Sequence, residues 1–294
     1  MKSTVLVFLV VMCSISMQGQ NISTAWDELT ASEFVEGVKK AEGVCIVPIG
    51  VIEKHGQHLP LGTDVLIARE ISRRAAEKEY CIVFPYYYMG QNFVATPQAG
   101  AIAYSSDLMF KMLEETCREI ARNGLKKIIL VNGHGGNNFF LPYFCQIQME
   151  TQKDFVVYWI NPSTDEETYK KIRQMRKTTT GGHADEMESS HVMAAYPHLV
   201  KIERATSESG DNQELLSLGE LTGLRWYAQY PNHYAGDAKD ANTALGELSL
   251  ESIGSELAKL IKAVKDDQAT PALQEEFHKK KQSPLDTKAI NPKR

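Results

Sequence analysis

Cysteine is scarce in this chain, five in 294 residues, and that scarcity excludes a disulfide framework as its organising principle. Cys45, Cys81, Cys117 and Cys145, the four that follow the N-terminal leader, have no metal-binding or redox spacing. Their apolar, strand-like or helix-like settings predict buried free thiols. Surplus positive charge is also lacking. Lys and Arg number 32 against 37 Asp and Glu, for a formal net charge of −5 and a pI of about 5.9. No broad field draws nucleic acid or anionic lipid to such a surface, so a small polar molecule is the expected partner. The GxGxxG and P-loop spacings are absent, as are internal repeats and any linker that would split the chain. No apolar run reaches the roughly 20 residues a membrane helix needs.

What remains is ordinary globular composition, 43% hydrophobic and 23% charged. The first twenty residues stand apart: Lys2, the apolar run Val5 to Val11, then the small or polar Ser14, Ser16 and Gly19. This pattern predicts a secretory signal peptide over 1–20 and an exported, periplasmic or secreted protein. A lipid anchor at Cys13 fits less well, because Val-Val-Met precedes it. One domain is expected over 21–270, followed by a polar, lysine-rich and loosely held tail over 271–294.

Strand-like and helix-like segments alternate. VCIVPI (Val44 to Ile49), YCIVFP (Tyr80 to Pro85), KKIILV (Lys126 to Val131) and Phe155 to Ile160 are short, unbroken apolar runs, as strands covered on both faces should be. Between them, helices are predicted from Val65 to Glu79, from Ser106 to about Asn123 and from about Phe139. Ser163-x-x-Glu166 is a capping-box signal for another. Further helices are expected at Glu186 to Tyr196 and around Leu250, Ile253, Leu257, Leu260 and Val264. The order predicts an α/β fold with a mostly parallel central sheet.

Three loops at strand ends concentrate ligand-type side chains, and the functional crevice of an open α/β sheet lies at those ends. The first, Gly50 to Asp64, carries Glu53, His55, His58 and Asp64. Glu53 and His55 are two apart, so an extended backbone points both to one side. Mixed carboxylates and imidazoles suit Zn²⁺ or Mn²⁺ better than Ca²⁺. Asp64 alone reads as well as a cap for the next helix. The second loop, Val131-Asn-Gly-His134-Gly-Gly-Asn137, lets the backbone turn sharply around a histidine, though a plain turn histidine is an equal reading. The third runs from Gly181 to His191 and holds His183, Glu186 and Glu188. Those two glutamates are two apart on a helix, so at most one points at a shared site. The other, with Asp185, favours the helix N-terminus.

These residues, E-K-H-G-Q-H-L-P-L-G-T-D, N-G-H-G-G-N and H-A-D-E-M-E-S-S in that order, resemble the creatininase (creatinine amidohydrolase) family. The resemblance covers about Trp26 to Lys265 and includes Trp26-Asp-Glu-Leu-Thr near the start and Gly236-Asp237 with Gly246 near the end. It implies a three-layer α/β/α sandwich, a homohexamer, and two divalent ions per chain, Zn²⁺ and/or Mn²⁺. Glu53, His55, Asp64 and His134 would be ligands, with Asp64 bridging. Creatinine-hydrolysing members carry a glutamate two positions after the loop histidine, where this chain has Gly136. In the H-G-G subgroup the later glutamate, here Glu188, takes that role, and His183 matches the proton-shuttling histidine. The implied activity is hydrolysis of a C–N bond in a small cyclic amide or related ring by a metal-bound hydroxide. Creatinine itself is disfavoured, because Thr178-Thr-Thr-Gly-Gly182 stands where those members place a ring-stacking tryptophan. His58, Gly135, Gly136 and Trp159 are candidate substrate contacts, and Trp226 is a further tryptophan within the chain. Rival readings are a sugar or cyclitol ring-opening hydrolase or isomerase, a two-metal phosphoesterase, and a non-catalytic metal or small-molecule binding protein. No arginine lies in the three motifs to clamp a phosphate.

Overall fold

The computed structural model describes residues 22–179, 181–217 and 221–286, so the expected leader lies outside the described residues. Four parallel strands, β1 (Val44–Ile49), β2 (Ile82–Val83), β3 (Lys127–Asn132) and β4 (Val156–Ile160), form the central sheet in the order β2-β1-β3-β4. Helix α1 (Ala31–Lys40) precedes the sheet, α2 (Thr63–Lys78) links β1 to β2, and α3 (Ser106–Arg122) links β2 to β3. Then come α4 (Asn137–Ile147), α5 (Glu166–Met175), α6 (Glu186–Ala195), α7 (Arg225–Gln229), α8 (Thr243–Asp266) and α9 (Ala269–Lys281). A small antiparallel pair, β5 (Gly181–His183) with β6 (Ala235–Gly236), stands apart from the main sheet.

Alternation along the strands divides the core into two layers. Cys45, Val47 and Ile49 of β1 and Ile128 and Leu130 of β3 pack against Met109, Leu113 and Cys117 of α3 and Phe140, Leu141 and Phe144 of α4. Val44, Ile46, Ile129 and Val131 face the other way, onto Ile71 and Ala75 of α2 and Leu250, Leu257 and Ile261 of α8. Both sheet faces are thus covered, which is why these strands read as unbroken apolar runs. The result is the expected three-layer α/β/α arrangement. Because the crossover after β1 runs to one side and the next returns to the other, the strand order reverses between β1 and β3. A crevice opens there at the carboxyl ends of the strands.

Local chemistry accounts for departures from the sequence reading. The second strand pairs only over Ile82–Val83, much shorter than Tyr80 to Pro85. Helix α5 is capped by Asp165, whose side chain accepts from the Thr168 N–H at 2.9 Å, so Ser163 is not its cap. The third loop, expected from Gly181, opens with strand β5. The lysine-rich segment after Thr270 is helical to Lys281, where His278, Lys279, Lys280 and Lys281 occupy the last turn and complement the helix dipole. Gln274 anchors it by donating to the carbonyls of Lys153 and Phe155 at 3.2 and 2.9 Å. The four cysteines of the described residues are free, three buried and Cys145 half-buried. Among the described residues no helix is long and apolar enough to cross a membrane.

Candidate metal centre

Strand β1 leaves the sheet at Gly50, where an added Cβ would lie 2.5 Å from the backbone nitrogen of Val65. Only glycine lets the N-terminus of α2 come this close to the strand end, and Gly133 after β3 does the same, with an added Cβ 2.9 Å from the Asp64 carbonyl. These two contacts bring Asp64, in the first turn of α2, between the loops that carry Glu53 and His55 on one side and His134 on the other. Asp64 does not cap its helix: Gly62 occupies the N-cap position, with no side-chain hydrogen bond there.

Six of the expected side chains converge. His55 Nε2 lies 3.0 Å from Asp64 Oδ1 and 3.7 Å from Glu188 Oε2. His134 Nδ1 is 3.0 Å from both Glu53 Oε1 and Asp64 Oδ2. His183 Nδ1 faces Glu53 Oε1 at 3.8 Å and Glu188 Oε2 at 4.0 Å. Of the two nearby glutamates, only Glu188 points inward. Glu186 turns away and accepts from the backbone N–H groups of Lys177 and Thr178 and the Thr178 hydroxyl, fastening the loop before β5.

The other ring nitrogen of each histidine meets a backbone carbonyl. His55 Nδ1 donates to Glu53 O at 3.2 Å, His134 Nε2 to Gln91 O at 2.9 Å and His183 Nε2 to Lys54 O at 2.8 Å. A carbonyl only accepts, so this network assigns the proton of each neutral ring to that nitrogen and leaves a lone pair aimed at the carboxylates. Lone pair against carboxylate oxygen is repulsive unless a cation lies between them. Glu53 Oε1 and Asp64 Oδ2 are buried and receive no hydrogen bond, which is the same deficit seen from the acidic side. The triads Glu53–Asp64–His134 and His55–His183–Glu188 each present ligand atoms within 4.8 Å of one another. The donor set therefore fits divalent cations of the Zn²⁺ or Mn²⁺ kind.

The cluster's surplus of negative charge also shows in its ionisation. Burial pushes the Glu188 carboxyl up to about 8, with Asp64 and Asp185 adding to the rise and the facing His55 ring opposing it. Burial alone would lower His55, but the facing carboxylates of Asp64, Glu188 and Glu53 together outweigh it and raise the ring to about 9. Burial, with the neighbouring His55, holds His183 down at about 3, so its ring is neutral at physiological pH.

Four further expectations concern substrate contact. Gly135 and Gly136 line the cavity above the cluster. His58 does not: it is buried, with Nε2 3.1 Å from Ala184 O and 2.9 Å from Ser189 Oγ, and ties the first loop to α6. Trp159 does not either, because β4 lies one strand beyond the crevice. Trp226 of α7 does reach the cavity, with its ring edge-on to His183 at 5.9 Å.

The sequence reading missed His233. It is buried, its Nε2 lies 2.9 Å from Glu53 Oε2, and it adopts φ 56, an uncommon conformation for a side-chain-bearing residue. The available signal was its place three residues before Gly236-Asp237.

The creatininase family sequence model, described as creatinine amidohydrolase, matches residues 27–261. The chain belongs to the creatininase family. It is a hydrolase of that family, similar to the creatinine amidohydrolase of Pseudomonas putida, at 27% identity over 194 residues, 60% of this chain and 74% of that one. It is also similar to the 3-dehydro-scyllo-inosose hydrolase of Thermotoga maritima, at 24% identity over 265 residues, 80% of this chain and 82% of that protein. A solved manganese form of creatininase superposes with a TM-score of 0.71 at 22% identity, covering 83% of this chain and all of the other, and shares the fold. Within this creatininase-family site, a Cβ on Gly136 would lie 2.4 Å from Gln91 Oε1 and 2.5 Å from His134 Nε2. No carboxylate side chain fits at that position as folded, and Glu188 is the third carboxylate of the cluster.

Proposed function

We propose that this protein is a two-metal hydrolase that opens a C–N bond in a small cyclic amide or related ring, and that creatinine is not its substrate. One observation carries the reading: three histidines, each fixed through one nitrogen by a backbone carbonyl, aim the other nitrogen at the carboxylates of Glu53, Asp64 and Glu188. Glu53, His55, Asp64, His134 and Glu188 would hold the ions, with Asp64 between them, since its two oxygens face His55 and His134 separately. When bound, the ions supply Lewis acidity and a nucleophile at neutral pH.

The chain's own residues supply the rest. His183, neutral and held by the Lys54 carbonyl, presents Nδ1 to take a proton from the attacking water and pass it to the departing nitrogen. Trp226 packs against the His183 ring and limits its rotation. Loss of a side chain at Gly136 leaves Glu188, on a different element, to complete the acidic set, which supports a reaction other than that of the creatinine-hydrolysing members. A second reading, opening of an oxidised cyclitol ring, is favoured by the long match to the inosose hydrolase.

Metal analysis of Asp64→Ala tests the assignment: the content should fall from two ions per chain to none, and retention of two would sink it. His183→Ala should keep both ions and lose about 10²–10⁴-fold in turnover. Retention of full turnover would remove His183 from the mechanism.

A further inference from the structure

The cavity above the cluster encloses about 720 Å³ and has two unlike halves. Its floor is the ionic cluster. Its wall is formed by Phe93, Phe110, Phe139, Phe140 and Trp226, with Val94 and Met109 between them. Beyond the floor, its polar side chains are those of Gln91, Ser106 and Arg225.

We propose that the substrate carries a bulky aromatic substituent beside its scissile amide, and that this substituent lies on the Phe93–Phe110–Phe139–Phe140–Trp226 wall. The chemistry at the amide rests on the hydrolase reading above; the wall does not. Three observations support it. The volume falls in the range of sites that enclose drug-sized ligands and exceeds what one small ring fills. Phe139 is 88% exposed and Phe93 45%, so large apolar rings at the cavity rim are left in water that a ligand would displace. Gly135, Gly182 and Gly223 line the same space, and an added Cβ on each meets nothing within 4 Å, so the room above the floor is open.

The wall also discriminates against the alternative. A polyhydroxylated ring needs a hydrogen-bond partner for most of its hydroxyls, because each one buried unpaired costs affinity. Five aromatic rings offer almost none. The aromatic substituent gains both area and edge-to-face contacts of the kind already present between Phe110 and Phe140, whose centroids are 5.0 Å apart.

Matched pairs test this on the metal-loaded protein: hydantoin against 5-benzylhydantoin, and N-formylglycine against N-formylphenylalanine. Binding is read by calorimetry and cleavage by product analysis. The benzyl member of each pair should bind about 30-fold more tightly. Phe93→Ala/Phe139→Ala, which alters only exposed rings, should reduce that preference to below threefold. Gly223→Phe, which fills open space, should do the same. Equal binding within each pair, or no binding by either member, overturns the proposal, as does a preference that survives both variants. Preferential binding without cleavage would uphold the wall and count against the hydrolase reading, so the two can fail separately.

Discussion

His233 illustrates how a side chain outside the recognised motifs takes part in the centre. Its hydrogen bond to Glu53 Oε2 occupies the oxygen that does not face His134, so the carboxylate is fixed with its other oxygen toward the cluster. Removing such a partner commonly weakens metal affinity by about 10–100-fold. His233→Ala should therefore bind metal about that much more weakly in a chelator-competition titration, and unchanged affinity would make the residue a packing element only. Burial also holds His58 and His191 down at about 4, against about 6.5 in an unfolded chain. Between those values the unfolded chain binds more protons than the folded one. Stability is thus full above about pH 6.5 and falls as pH drops toward 4, by up to about 1.4 kcal/mol per pH unit for each histidine. Urea midpoints at pH 5, 6 and 7 should show this slope, and His191→Gln should flatten it.

Motif residues were legible for a physical reason that does not extend to His233. Glu53 with His55, and His183 with Glu188, sit in short loops where several donors crowd together, so their type and spacing announce chemistry before the fold is known. His233 is a lone histidine 42 residues beyond His191, returned to the site by the pairing of β5 with β6, strands of three and two residues. Pairing that short leaves almost no periodicity to detect. The opposite error occurred with His58, which has the right type and neighbourhood but spends its hydrogen bond on Ala184 and Ser189.

Among the elements, α6 and α8 set the height of Glu188. Gly246 of α8 lies so close to α6 that an added Cβ would stand 1.9 Å from the Ser190 carbonyl oxygen. Gly246→Ala must push the two helices apart, at a cost of about 1–3 kcal/mol. Because Glu188 rides on α6, the same substitution should lower metal affinity as well as the urea midpoint. A stability loss with unchanged metal affinity would show that α6 is positioned by its other contacts. The α8 and α9 patterns also show what a helix signal can and cannot convey. The α8 stripe from Leu250 to Val264 is legible from spacing alone, and its residues are buried except Leu260, which is half-buried. Helix α9 was concealed because its lysines suggested a solvated tail. Those lysines in fact end a helix whose dipole they stabilise, and Lys281 donates to the carbonyl of Glu150 at 2.6 Å.

For the whole molecule, the cluster links cation binding to folding. Glu53, Asp64 and Glu188 meet the three ring nitrogens only in the folded chain, so a cation that binds there binds only that state and stabilises it. Zn²⁺ or Mn²⁺ at 100 times its dissociation constant contributes about 2.7 kcal/mol per site. Chelation should thus lower the Tm by about 5–10 °C for each site emptied, and readdition should restore it. A Tm indifferent to chelator would mean that the cluster holds no tightly bound ion. Export through the 1–20 leader and assembly as a homohexamer remain proposals at this scale. N-terminal sequencing of the secreted protein and its mass in solution would test them.

The positions of the two flanking segments bear on where the chain can be cut. The outer margin of β2 is occupied by Thr24 and Ala25, with the Val83 N–H donating to Thr24 O at 2.8 Å. At the opposite margin, Gln274 of α9 takes up carbonyls beside β4. The β2 border is therefore guarded against templating a strand from another molecule, and α9 pins the segment that enters β4. A chain ending at residue 270 keeps every residue of the metal centre yet releases the segment that enters β4. It should bind metal normally and aggregate through sheet extension on concentration.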